Sequence, residues 1–97
     1  MHIVTAGLNH KTAPIEIREG LAISNGDLSG ALDVLRGFPS LQETMLLSTC
    51  NRVELYAVAN NSDEAIGHLR QFLLQRNPAI KTEQLEEYLY FLIDDNY

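Results

Sequence analysis

The residues best equipped for chemistry lie in one polar segment, residues 48–52 (Ser-Thr-Cys-Asn-Arg), which holds the only cysteine of the 97 residues. A thiol is a useful nucleophile as its thiolate, and a nearby arginine favours that form. Arg52 follows Cys50 by two positions, and its planar guanidinium suits bidentate recognition of a carboxylate or phosphate. The segment therefore predicts a Cys50 that attacks an activated carbonyl while Arg52 holds an anionic group of the same substrate.

The alternative for Cys50 is a structural role. Free cysteine is among the most buried residue types, and a lone cysteine is often inert. Apolar neighbours would suit a buried thiol, whereas the neighbours of Cys50 are polar. That contrast favours an accessible thiol, although the chemistry of the segment leaves both interpretations open.

Two strand-like runs flank the polar segment and must position it. Residues 43–49 and 53–59 are rich in residue types that favour strands. A short polar link between two strands predicts a hairpin, with Cys50 at its rim rather than in the sheet. Loops held by a rigid scaffold are where binding and catalytic groups concentrate.

The rest of the chain predicts four further main elements and some short helices. Residues 3–8 read as a strand, and an apolar period of helical spacing runs from Leu28 to Leu35. Asn61 and Glu64 resemble a capping box that opens a helix ending before Pro78. Short helices are expected from Pro14 to about residue 22 and from Thr82, and a last strand over 88–93. The order β-α-β-β-α-β predicts an α+β, ferredoxin-like split β-α-β fold with short extra helices, in a single domain over residues 1–97.

Composition and charge limit the classes of function. Apolar residues make up 45% of the chain, without a run long enough for a membrane span or a leading signal pattern, so we expect a cytoplasmic protein with no membrane association. The net charge of −6 argues against strong RNA binding by this chain alone. A single cysteine excludes an internal disulfide framework.

Weaker candidates surround the cysteine segment. His10 and Lys11 follow the first strand and are possible contacts near Cys50, as is the Ser48 hydroxyl. His2 and His68 show no ligand spacing with each other or with Cys50, so no metal site is expected. Tyr88 and Tyr90 belong to an apolar run, and no function is predicted for them.

Two motifs carry a resemblance to a known family. Residues 48–56, Ser-Thr-Cys-Asn-Arg-Val-Glu-Leu-Tyr, resemble the signature of glutamyl-tRNA reductases. Residues 7–14, Gly-Leu-Asn-His-Lys-Thr-Ala-Pro, followed by Glu16, Arg18 and Glu19, are similar to that family's opening motif. Because the motifs are separate and in the expected order, the chain is identified as a member of the family, in the N-terminal part of its catalytic domain.

The resemblance implies a reaction and a division of roles. Cys50 matches the nucleophile that takes the glutamyl group of glutamyl-tRNA(Glu), at the aminoacyl end, as a thioester, which hydride from NADPH reduces to glutamate 1-semialdehyde. This is the first step of tetrapyrrole synthesis from glutamate. Thr49, Asn51 and Arg52 match positions that hold the glutamyl part. The family's NADPH domain, its dimerisation domain and a histidine that assists the cysteine are expected outside residues 1–97, and the full-length protein is expected to be a homodimer.

A second hypothesis comes from another functional class. The fold could be a non-catalytic interaction module that binds a regulator or haem, with Cys50 structural or a haem ligand. Accessibility and reactivity of the thiol separate this hypothesis from the catalytic one. A thiol redox protein would need a resolving cysteine, which the sequence lacks.

Overall fold

Alternating apolar residues build a four-stranded antiparallel sheet. The computed structural model describes residues 1–94. In chain order they form β1 (His2–Asn9), α1 (Ile15–Leu21), α2 (Leu28–Arg36), β2 (Glu43–Ser48), β3 (Arg52–Ala59), α3 (Ser62–Arg76), α4 (Thr82–Tyr88) and β4 (Tyr90–Asp94). The strands pair in the order β2-β3-β1-β4.

The helices pack on one face of this sheet. Successive side chains of a strand point to opposite faces, so every second residue of the two central strands enters the core. Val4, Ala6 and Leu8 of β1 are fully buried and belong to one core cluster with residues of β3 and of all four helices. From α3 the cluster receives Leu69, Phe72 and Leu73.

The sheet order and connections confirm the predicted α+β, ferredoxin-like split β-α-β fold. Helices α1 and α2 connect β1 to β2, β2 and β3 form a hairpin, and α3 and α4 connect β3 to β4. Asn61 caps α3 as expected, since its side chain accepts a hydrogen bond from the Glu64 N–H at 2.9 Å. Within the described residues, no helix is long and apolar enough to cross a membrane.

The expected start of the last strand was wrong by two residues. Tyr88 closes α4, and the Leu89 N–H donates to the Leu85 carbonyl, so the helical hydrogen bonds continue through this point. Leu85 is fully buried, and its packing keeps the last turn of α4 on the core. The strand begins at Tyr90, which lies opposite Gly7 of β1.

Candidate functional site

The pairing of β1 with β3 brings the two sequence motifs together. The strands are antiparallel, and Asn9 at the end of β1 is the register partner of Arg52 at the start of β3. The loop after β1 and the loop before β3 therefore emerge at the same edge of the sheet. Between them lies a cavity of about 500 Å³, lined by Asn9, His10, Lys11, Thr49, Cys50, Asn51 and Arg52.

Residues 49–51, the Cys50 loop, form a tight connection between β2 and β3 that is held by a backbone hydrogen bond and by the Thr49 side chain. The Thr49 N–H donates to the Arg52 carbonyl at 2.8 Å. The Thr49 hydroxyl oxygen accepts from the N–H groups of Asn51 and Arg52, both at 3.2 Å. Cys50 is a free, exposed cysteine, so its thiol is accessible at the rim of the hairpin, as the sequence predicted.

Helix α1 and the residue after its C-cap hold the base of this loop. Arg18 of α1 donates from Nη1 to the Cys50 carbonyl at 2.9 Å. The Ile23 N–H donates to the Ser48 hydroxyl oxygen at 2.9 Å. Ser48 was a candidate contact near Cys50, but it is not among the lining residues of the cavity. Its hydroxyl links β2 to the α1 end of the core.

The loop after β1 is organised by Asn9. The Asn9 Oδ1 atom accepts from the N–H groups of Lys11 at 2.8 Å and Thr12 at 3.1 Å. The Asn9 N–H in turn donates to the Thr12 hydroxyl oxygen at 2.9 Å. This side-chain turn places His10 and Lys11 on the cavity wall beside the Cys50 loop. Within the described residues, no acidic residue lines the cavity, so the site suits an anionic ligand.

A buried carboxylate lies beside the cavity on the sheet face opposite the helices. Glu54 is only 7% exposed; its Oε1 accepts from the Tyr56 hydroxyl at 2.9 Å and its Oε2 from the Tyr90 hydroxyl at 2.6 Å. The Arg52 Nε lies 3.5 Å from Oε1, while the Arg52 side chain stays 53% exposed. We call Arg52, Glu54, Tyr56 and Tyr90 the Glu54 cluster. It restrains Arg52 through Nε and leaves the guanidinium accessible to a ligand.

Gly7 makes room for the Glu54 cluster. A Cβ atom at position 7 would lie 2.9 Å from the Cγ of Glu54 and 3.0 Å from the Cζ of Tyr90. Burial, and then the hydrogen bond to Glu54, raise the pKa of Tyr90 to about 12. The same two causes raise the pKa of Tyr56. Both phenols therefore remain donors to the carboxylate well above neutral pH.

The Glu54 cluster was not predicted from the sequence. Tyr90 stands in an apolar run of residues, whereas its hydroxyl donates to a buried acid 36 residues earlier in the chain. One signal was available: Glu54 is an acidic residue inside a strand whose neighbours are apolar, and it follows Arg52 by two positions, on the same face. Its tyrosine partner across the sheet could not be read from that pattern.

The described residues lack the features of two other kinds of site, a metal site and a dinucleotide-binding site. Among residues 1–94, no three His, Cys, Asp or Glu side chains come together as metal ligands. A dinucleotide fold uses parallel strands and a glycine-rich turn that opens a helix, whereas the sheet of residues 1–94 is antiparallel throughout. Its first strand leads into a turn without glycine. Residues 1–94 therefore do not form the dinucleotide-binding fold that would hold NADPH.

Comparisons with known proteins agree with both motifs. A family model described as "Glutamyl-tRNAGlu reductase, N-terminal domain" matches residues 6–97. The glutamyl-tRNA reductase of Rippkaea orientalis is 41% identical over 93 residues, which cover 96% of this chain and 22% of the relative. That of Synechocystis sp. is 41% identical over 96 residues, 99% of this chain and 22% of the relative.

A solved structure extends the similarity to the fold. The glutamyl-tRNA reductase of Methanopyrus kandleri matches with a TM-score of 0.58 and 28% identity, over 73% of this chain and 16% of that one. The chain thus spans about a fifth of the length of the curated relatives it matches. Their names are those of oxidoreductases. On the family match and the identity along almost its whole length, this chain belongs to the glutamyl-tRNA reductase family, where it corresponds to the N-terminal domain.

Proposed function

We propose that residues 1–97 are one domain that carries the acyl-accepting nucleophile and part of the glutamyl site of a glutamyl-tRNA reductase. One observation carries the proposal: the two family motifs meet around a single cavity, with an exposed thiol and accessible cations on its wall. An exposed Cys50 also supports the catalytic hypothesis over a module in which this cysteine is structural.

The step assigned to this chain is acyl transfer. The Cys50 thiolate attacks the carbonyl carbon of the glutamyl ester at the 3′ end of the tRNA, and an S–C bond forms. The C–O bond to the ribose breaks, and the ribose oxygen leaves with a proton from solvent or from an assisting acid. Covalent catalysis of this kind replaces one difficult step by two easier ones, because a thioester is reduced more readily than an ester.

Different residues of the cavity contact different parts of the aminoacylated end of the tRNA. Arg52 binds the side-chain carboxylate, held in place through its Nε by the buried Glu54. The side chains of Thr49 and Asn51 contact the polar atoms of the same glutamyl group. His10 and Lys11, on the opposite loop, face the terminal nucleotide, where Lys11 complements phosphate charge.

The remaining parts of the reaction belong to the full-length enzyme. NADPH supplies the hydride that converts the thioester to glutamate 1-semialdehyde, and we assign no residue of this chain to that step. With a net charge of −6, the chain contacts tRNA mainly through the aminoacylated end, and other regions supply most phosphate contacts. The working enzyme is a cytoplasmic homodimer in tetrapyrrole synthesis.

A trapping experiment tests the nucleophile. The 97-residue chain is mixed with tRNA charged with radiolabelled glutamate, without NADPH, and label on the protein is followed. We expect label that neutral hydroxylamine removes, in wild type and not in Cys50→Ala. Equal labelling of both proteins, or none on a folded wild type, overturns the proposal. With NADPH added, the chain alone should give no semialdehyde.

A substrate comparison tests Arg52. Glutamyl-tRNA and glutaminyl-tRNA differ in the charge of the side chain that Arg52 is proposed to bind. A hydrogen bond to a charged group contributes about 1.5–3 kcal/mol, so Arg52→Gln should reduce the preference for the glutamyl ester by about 10- to 100-fold. Arg36→Gln, an exposed arginine of α2 paired with Asp33, is the matched control and should keep the wild-type preference. An unchanged preference in Arg52→Gln contradicts the assignment.

A further inference from the structure

A second arginine reaches the Cys50 loop from helix α1. Arg18 donates from Nη1 to the Cys50 carbonyl at 2.9 Å across 32 residues of sequence. Its Nε is buried and has no hydrogen-bond partner. The Arg18 side chain as a whole is half-buried, and its guanidinium carries a permanent positive charge next to the Cys50 loop.

The helix that carries Arg18 is a firm support. Ile17 and Leu21, on either side of Arg18 along α1, are both buried in the core. Just beyond α1, the Ile23 N–H bonds to Ser48, immediately before the Cys50 loop. Two links from one segment therefore fix the loop that carries the thiol, one at Ser48 and one at Cys50 itself.

We propose that Arg18 is a positioning residue of the Cys50 site, which orients the loop through the Cys50 carbonyl and attracts anionic reactants to the thiol. The inference rests on the proposed function for its substrate, glutamyl-tRNA, which is anionic at both its glutamyl group and its phosphates. Arg18 acts through the loop and through its charge, whereas Arg52 lines the cavity and is the residue proposed to bind the glutamyl carboxylate.

The size of the effect follows from distance. The carbonyl oxygen of a cysteine lies within about 5 Å of its own sulfur by covalent geometry. Since the Arg18 Nη1 atom lies 2.9 Å from that oxygen, the guanidinium lies within about 8 Å of the Cys50 sulfur. A unit charge about 8 Å away in water changes the encounter with an anion by about twofold. A neutral reagent feels no such attraction.

Alkylation of the single cysteine measures this effect without tRNA. Iodoacetate and iodoacetamide react alike: the thiolate sulfur bonds to the CH₂ carbon and iodide leaves. The first reagent is an anion and the second is neutral. We expect the ratio of their rate constants, iodoacetate over iodoacetamide, to fall about twofold in Arg18→Gln, which loses the charge and keeps a polar side chain. Arg18→Lys, which keeps the charge, should restore the ratio.

Controls separate charge from folding. Arg36→Gln removes an equal charge from an exposed position in α2 and should leave the ratio at the wild-type value. Far-UV circular dichroism confirms the fold of each variant, and if Arg18→Gln unfolds, Arg18→Met is measured instead. A change of both rates by one factor, with the ratio constant, overturns the proposal, because a purely structural role predicts that result. A fallen ratio in a chain that forms no glutamyl thioester refutes the proposed function and leaves the charge effect of Arg18 established.

Discussion

Replacing Glu54 with glutamine should destabilise the folded chain by about 2 kcal/mol, since the substitution keeps the shape of the side chain and removes its charge. Glu54 is 7% exposed and accepts hydrogen bonds from the hydroxyls of Tyr56 and Tyr90. Hydrogen bonds to charged groups contribute about 1.5–3 kcal/mol and neutral ones about 0.5–1.5 kcal/mol. Each tyrosine bond therefore loses about 1 kcal/mol.

The contact with Arg52 adds little to this sum. The Arg52 side chain is 53% exposed, and its Nε lies 3.5 Å from the carboxylate, so solvent screens the pair and its contribution is at most about 1 kcal/mol. Thermal unfolding by circular dichroism at pH 7 measures the loss. For a chain of this size a change of 1 kcal/mol shifts Tm by about 4–8 °C, which predicts a decrease of about 8–16 °C.

A double-mutant cycle isolates the bond to Tyr90. Tyr90→Phe removes the shorter of the two tyrosine hydrogen bonds. Glu54→Gln should therefore reduce the unfolding free energy by about 1 kcal/mol less in the Tyr90→Phe protein than in wild type. Asp33→Asn, at an exposed acid of α2, is the control and should leave Tm within about 2 °C of wild type. A Glu54→Gln protein as stable as wild type, or additive effects in the cycle, would refute the reasoning.

Three other predictions use the same unfolding assay. Gly7→Ala places a Cβ within 3.0 Å of Glu54 and Tyr90 and should destabilise the fold by about 1–3 kcal/mol. Gly30→Ala, in a helix and with nothing within 4 Å of the new Cβ, should stabilise the fold by about 0.5–1 kcal/mol. Stability changes of the same sign in both variants would contradict this prediction. The pKa of Tyr90 is raised to about 12, so the stability that its neutral hydroxyl contributes is complete below pH 10 and is lost as the pH rises from 10 to 12. The difference in unfolding free energy between wild type and Tyr90→Phe should therefore shrink over that pH range. A difference that stays constant would contradict the prediction. Ser48→Ala leaves the Ile23 N–H without its acceptor and should cost about 1 kcal/mol; no change in Tm would show that water replaces the hydroxyl.

Local patterns were sufficient for most of the fold. Strand-favouring residue types located the strands around Cys50, and a capping box located the start of the helix at Asn61. The last strand was displaced by two residues at Tyr88. There an apolar run is compatible with either structure, and the packing of Leu85 decided in favour of the helix.

The sequence by itself determined which residues could do chemistry, because Cys50, Arg52 and the loop after β1 stand in motifs whose residue types carry their own reactivity and charge. Only the tertiary structure decided which side chains meet. The pairing of Asn9 with Arg52 joins the two loops at one cavity, and contacts across 32 and 36 residues bring Arg18 to Cys50 and Tyr90 to Glu54. Such contacts depend on strand order and helix packing, which no local spacing encodes.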